Sequence, residues 1–191
     1  MGLTQLTAPA EEPLTLADAK DHLRVTHTDE DMLIAALIAT ARESAEARTG
    51  RALVTQTWRH TLDTWPAHGI IVLPRPPLVS VQEVSYLDND GARQIIPGTD
   101  YQVITNTLLG QVLPAYGLSW PSCRDQPGSI QVDYTAGYGA AADVPQSLKA
   151  WMLLAIGTWY ARREALASGS VMELPRAFWD ALLDPYTIPS L

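Results

Sequence analysis

Apolar residues in this chain keep a helical rhythm as far as Thr49. They fall at alternate positions along segments between Val54 and Thr135, and return to the helical rhythm from Leu148. A helix brings a residue back to the same face about every 3.6 positions and a strand every second one, so a chain can satisfy each rhythm with only one kind of backbone. The order helix, strand, helix therefore predicts an α+β fold. Its core is helical, with two N-terminal helices and a long C-terminal one, and an antiparallel β sandwich or barrel is inserted between them.

The N-terminal helices carry their own start signals. Thr15, followed three residues later by Asp18, is an N-cap pattern with an acid in place of the usual Glu or Gln. It predicts a short helix to about Arg24 with Leu16, Ala19 and Leu23 on one face. Thr28 can cap a second helix, and Asp29, Glu30 and Asp31 then fall in its first turn, where negative charge offsets the helix dipole. That reading accounts for the three acids without a metal. Ile34, Leu37, Ile38, Ala41, Ala45 and Arg48 follow at helical spacing up to Thr49-Gly50, Gly being favoured just past a helix end. About twenty residues at 1.5 Å each make a rod of ~30 Å. Its alanines lie on more than one face, which suits packing against other helices.

The middle of the chain is rich in β-branched and aromatic residues. Val54–Leu62, Ile70–Leu73, Val79–Leu87, Arg93–Ile96, Tyr101–Thr105, Gln111–Leu113 and Ser129–Thr135 read as strands. Asp88-Asn89-Asp90-Gly91 is a hairpin turn of the Asp-Gly kind. Met1–Glu12 is expected to be a loose arm. After Asp143-Val144-Pro145 comes a helix with one stripe of Leu148, Met152, Ala155, Ile156, Trp159 and Arg163, while Trp151 and Leu154 lie on another. A helix apolar this far round needs cover on several sides, and neighbouring subunits are a natural source of it. Gly157 in mid-helix costs about 1 kcal/mol relative to Ala and is read as marking a close approach of backbone.

Gly169-Ser170 ends this pattern. The tail beyond it carries Phe178, Trp179, Leu182, Leu183, Tyr186 and Ile188, too much apolar surface to hang in water, so it folds back on its own domain or docks on another chain. The expected division is 1–50 for the arm and first helices, 51–139 for the β-domain, 140–168 for the core helix and 169–191 for a docking tail.

Tests for chemistry fail in turn. Gly137-Tyr138-Gly139-Ala140-Ala141-Ala142 imitates a dinucleotide-binding loop, but Asp143-Val144-Pro145 separates it from the helix and no βαβ unit follows. Asp88, Asp90 and Gly91 imitate a calcium loop, yet Tyr86 and Pro97 stand where its first and last carboxylates belong. His22, His27, His60 and His68 lack metal-ligand spacing, and Cys123 beside Trp120-Pro121 reads as an inert thiol. No nucleophile elbow and no phosphate-binding Gly-Lys-Ser/Thr loop is present. No catalytic residue, cofactor site or metal site is expected.

Composition narrows the partners. The formal charge is −8, and the 13 Lys and Arg are scattered among 21 Asp and Glu, which argues against sequence-independent DNA binding. A lone cysteine fits a reducing compartment, and Met1–Pro13 lacks the basic and apolar regions of a secretory signal. The apolar run Trp151–Ala161 is well short of the ~20 residues that span a bilayer, so no membrane association is expected. Six tryptophans stand against one phenylalanine, an imbalance that fits surfaces buried against a partner, while for any single Trp an ordinary core position is the favoured reading.

Several segments together resemble the tailed-phage head–tail connector (adaptor) family, also labelled phage DNA-packaging proteins. They are Pro13–Val25, Asp29-Glu30-Asp31, Leu37–Ala41, Thr49-Gly50-Arg51, Gln56-Thr57-Trp58, Leu73–Leu78, Val81–Tyr86 and Asp90-Gly91. Further on are Asp133–Gly139, Val144-Pro145, Trp159-Tyr160, Arg163-Glu164 and Leu182–Tyr186. Thr187 departs from the pattern, a basic residue being expected after Pro185-Tyr186.

The resemblance implies a non-enzymatic virion subunit of the phage neck, made in the host cytoplasm. It would form a homo-oligomeric ring of twelve under the portal protein, hold a stopper or tail protein below, and let DNA pass through its lumen. Phe178, Trp179, Leu182, Leu183 and Tyr186 are the portal-docking candidates, being apolar and terminal. Deleting 170–191 is expected to abolish docking without unfolding the domain. Trp151, Leu154 and the hairpin tip of Asp88, Asp90 and Gly91 are the subunit-interface candidates. Three rival readings are another neck or tail-completion (stopper) protein, a small cytoplasmic enzyme with a site assembled from distant residues, and a monomeric β-sandwich binding module.

Overall fold

The structure, a computed structural model, describes residues 1–161 and 179–189. It has mixed α and β elements, with three helices and two antiparallel sheets among the described residues. The chain forms two compact units, one of Met1–Ala10 with Thr55–Tyr138, the other of Glu11–Val54 with Gly139–Leu191.

The first unit holds the strands. Its five-stranded sheet runs in the order β1 (Gly2–Thr7), β2 (Gln56–Leu62), β8 (Ile130–Ala136), β4 (Leu78–Leu87) and β5 (Arg93–Ile95). The second sheet orders β3 (Ile71–Leu73), β7 (Gly110–Pro114) and β6 (Tyr101–Ile104). At the centre, β8 shows why alternation specifies register: Ile130, Val132, Tyr134 and Ala136 are buried, and Gln131, Asp133 and Thr135 between them are not. On the more polar face, Arg59 of β2 lies opposite Asp133 and donates two bonds of 2.7 and 2.6 Å to its carboxylate. Gly110 must be glycine for want of space, since a Cβ there would collide with the Leu78 side chain.

The first residues differ from the expected loose arm. Gly2–Thr7 form an edge strand on β2, with Leu3 opposite His60. Most of the strand is exposed, so no burial alternation marks it in sequence. Its backbone pairing with a strand more than fifty residues away stabilises it instead. The Met1 ammonium completes the attachment by donating to Asp63 at 3.1 Å.

The second unit holds the helices. In α1 (Leu16–Leu23), Thr15 and Asp18 form the reciprocal cap, with the Asp18 N–H donating to Thr15 Oγ1 at 3.1 Å and the Thr15 N–H to Asp18 Oδ2 at 2.9 Å. Helix α2 (Asp31–Thr49) begins later than Thr28: Glu30 is its N-cap, its carboxylate accepting from the Tyr160 hydroxyl rather than capping the helix, and Asp31 accepts from Lys20 Nζ at 2.5 Å. Its end is as expected, at Gly50 with φ +74°. Helix α3 (Gln146–Ala161) buries Leu148, Trp151, Met152, Ala155 and Ile156. Gly157 does mark a close approach, but of a side chain: a Cβ there would meet His22 Nε2 at 3.4 Å.

One buried ionic cluster ties this unit together. Arg42 donates to Glu12 at 2.8 Å and to Glu46 at 3.2 Å, and Glu46 also accepts from the Leu53 N–H at 2.9 Å. Glu46 thus closes the turn after α2 by satisfying a buried backbone donor.

Candidate functional site

The residues expected to dock form a built contact within the helical unit. Trp179 stacks on Trp151 with ring centroids 5.9 Å apart and an interplanar angle of 17°. The Arg48 guanidinium lies over the Trp151 ring at 5.4 Å. Asp180 Oδ1 accepts from Arg48 Nη1 at 2.9 Å and from Trp151 Nε1 at 3.1 Å. Farther along, the Tyr186 carbonyl accepts from Arg51 Nε at 2.6 Å, and the Ile188 N–H donates to the Thr49 carbonyl at 2.9 Å. Ile188 also lies against Gly50, and Leu183 is buried. The local sequence explains the receiving surface: Gly50 in the left-handed region ends α2, leaving the Thr49 carbonyl free to accept and a bare backbone for Ile188 to rest on.

This arrangement changes the expectations placed on the tail. Trp179, Leu183 and Tyr186 take part in these contacts, Leu182 is half-buried, and Phe178 lies outside the described residues. Deleting 170–191 would uncover Trp151 and strip Asp180 from Arg48, so the domain would not be left undisturbed. Trp151, proposed for a subunit interface, is 1% exposed and enclosed by its own chain. Leu154 is 42% exposed, and Met32 and Leu33 at the start of α2 are 89% and 40% exposed. Sequence reasoning missed Met32 and Leu33 because they precede the stripe beginning at Ile34.

The hairpin tip is more constrained than its composition suggests. Asp88 Oδ1 accepts from the N–H groups of Asp90 and Ala92 at 3.1 and 2.8 Å, and Oδ2 accepts from Gln94 Nε2 at 2.8 Å. Asp88 therefore serves its own turn. Asp90 is exposed, and Gly91, with φ +88°, has the Arg124 guanidinium where a Cβ would stand.

Three carboxylates among the described residues are shifted downward. Asp18 is held below the usual carboxylate range chiefly by the Thr15 hydroxyl, Asp63 by the Gly128 N–H and Asp88 by the Gln94 amide. These are lowered values, and a proton donor near neutral pH needs a raised one. An open hollow of about 590 Å³ in the β unit, lined by His68, Gln102, Tyr116 and Trp120 among others, contains none of those carboxylates. Among the described residues, no group of three His, Cys, Asp or Glu is placed to hold a metal ion. Among them too, no helix is long and apolar enough to cross a membrane.

Residues 13–86 match the family model described as phage gp6-like head-tail connector protein. Over that segment, the sequence is similar to that family. The family is one of structural virion components, not of enzymes. The match takes in α1, α2, the Arg42–Glu46 cluster and the strands β2 to β4. Three solved structures share the fold of this chain along 100% of its length and 98% of theirs. One is titled as the neck of an empty GTA particle computed with C6 symmetry, with 24% identity and a TM-score of 0.81. The second is the virion of a native gene transfer agent (GTA) particle, and the third the neck of a native GTA particle computed with C12 symmetry, both at 23% identity and TM-score 0.79. No curated protein matches this chain.

Proposed function

We propose that this chain is a structural connector subunit that works as a ring in the neck of a tailed-phage or phage-like particle, joining the DNA-filled head to the tail. The observation that carries this reading is a coincidence of two independent likenesses. The segment with the connector sequence lies inside a chain whose entire fold matches proteins of particle necks computed with sixfold and twelvefold symmetry. A ring of twelve under the portal fits that symmetry. The two antiparallel sheets are read as an inserted sandwich, and the meeting of Gly110 with Leu78 supports this.

Charge and exposure support the same role. With a net charge of −8 on each chain, a ring repels the DNA that passes through it, so the DNA slides. Met32, Leu33 and Leu154 are apolar side chains left in water by a single copy, and they are read as subunit-interface positions. Trp179, Leu182, Leu183 and Tyr186 are read as the portal-docking set, and the exposed hairpin residue Asp90 as a contact to the neighbouring subunit or the stopper below. The test is electron microscopy of the purified chain mixed with portal rings. A second ring seated on the portal is expected, and portal rings that remain bare at saturating protein would overturn the proposal.

A further inference from the structure

The contacts that hold the tail have a consequence for docking, because Trp179 and Leu183 cannot face a partner while they face Trp151 and the helices of their own unit. We propose that residues 179–188 are a latch: the tail seals the groove formed by Arg48, Thr49, Gly50, Arg51 and Trp151 in the free subunit, and must leave that groove before it can dock on the portal. This inference rests on the reading of the tail as the portal-docking element.

The chemistry of the grip suits a reversible closure. Its polar centre is a single carboxylate, Asp180, shared between Arg48 and Trp151. Arg48 and Asp180 are 45% and 29% exposed, so water and salt compete for that pair and it holds less firmly than a buried one. The remaining polar contacts use backbone groups of the tail, the Tyr186 carbonyl and the Ile188 N–H, which any strand-like or loop partner can satisfy equally. The apolar part is one aromatic stack, the Leu183 side chain and Ile188 against Gly50, again exchangeable for another apolar surface. By contrast, the Arg42–Glu46–Leu53 cluster of the same unit has side chains only 9% exposed and pairs two ions with a backbone donor. Among the described residues, the unit thus contrasts a buried polar lock with a tail contact that solvent reaches.

A docking partner then meets a subunit whose competent form is only a fraction of the population, and its apparent affinity falls by that fraction. Weakening the latch raises the fraction. Asp180→Asn keeps an acceptor for Trp151 Nε1 but loses the charge facing Arg48. It is expected to tighten portal binding about tenfold, the effect of losing ~1.4 kcal/mol of closure.

The decisive experiment locks the latch shut. The Gly50 Cβ position lies 3.6 Å from Ile188 Cβ, within the Cβ separation of ~3.5–4.5 Å that disulfides adopt. In the full chain, Gly50→Cys and Ile188→Cys are combined with Cys123→Ser, and capture on immobilised portal rings is compared before and after reduction. Little capture when oxidised, restored by reductant to that of the Cys123→Ser chain, is the expected result. Equal capture in both redox states would overturn the latch and leave the connector reading standing. If the unmodified chain also fails to bind, the portal reading falls and takes the latch with it. If the disulfide does not form, Asp180→Asn decides: unchanged or weaker portal binding in a folded protein counts against the latch.

Discussion

At the scale of single residues, the chain's unusual aromatic composition has a structural explanation. Trp65 and Trp120 stack at 4.6 Å and 6°, and their Nε1 atoms donate to the carbonyls of Pro121 and Gly69 at 2.7 Å each. Trp151 pairs likewise with Trp179 and donates to Asp180. Phenylalanine could supply the stacking surface but not the donor, so Trp65, Trp120 and Trp151 serve contacts within their own chain. His60 is a residue whose environment predicts a pH effect. Burial pushes its pKa below the ordinary value, opposed by a bond with the Gly2 backbone, and its Nδ1 is buried without a partner. The unfolded chain therefore takes up the proton first. His60's contribution to stability is fully present above about pH 6.5 and is lost as the pH falls from there through the folded value. Urea unfolding at about pH 7.5 and about pH 5.5 should show a larger loss for the native chain than for His60→Leu, and equal losses would refute this account. Gly157 makes the opposite kind of prediction. A methyl at 3.4 Å from His22 is nearly ordinary contact, so Gly157→Ala should gain up to ~1 kcal/mol of helix propensity. A lowered melting temperature would show that His22 cannot yield.

At the scale of elements, legibility followed the range of the signal. The cap of α1, the Gly50 end of α2 and the turn at Asp88–Gly91 are decided by residues within four positions of each other, and the sequence displays them directly. The strand β1 is decided by β2, and the fate of the tail by Arg48 and Trp151, partners that no local window contains. The start of α2 was misplaced for a related reason: Thr28 was free to cap, but Asp31 is drawn to Lys20 of the preceding helix. Long-range polar partners also predict which elements resist change. In Glu46→Ala, Arg42 would lose one of its two principal carboxylates and the Leu53 N–H its acceptor, both in a buried setting. Losses of about 3 kcal/mol are typical of breaking such a pair, readable as an earlier chemical denaturation midpoint. The Asp180→Asn change, at a solvent-reached pair, should cost stability by less than half as much, and the contrast between the two variants tests the distinction between lock and latch.

At the scale of the whole molecule, the question is how much apolar surface one copy leaves uncovered. Sequence periodicity put apolar residues on more than one face of both long helices, and the structure shows that most of this surface is sealed internally: Ile34, Ile38, Ala41 and Ala45 on α2, and Leu148, Met152, Ala155 and Ile156 with Trp151 on α3. Among the described residues, the two long helices leave Met32 and Leu33 exposed at one end of α2 and Leu154 on α3, and the β unit exposes Val79, Ile95, Leu108, Tyr116 and Leu118 besides. Replacing an exposed side chain barely alters a monomer, whereas a charge forced into an interface costs several kcal/mol in the complex. Leu154→Glu should therefore melt within a few degrees of the native chain, as surface changes of about 0.5 kcal/mol do, yet fail to form rings on the portal. Met32→Glu should do the same if the start of α2 belongs to the same interface. Rings that form normally with both substitutions would mean that the subunits meet elsewhere, and the exposed hairpin residue Asp90 would become the next position to change.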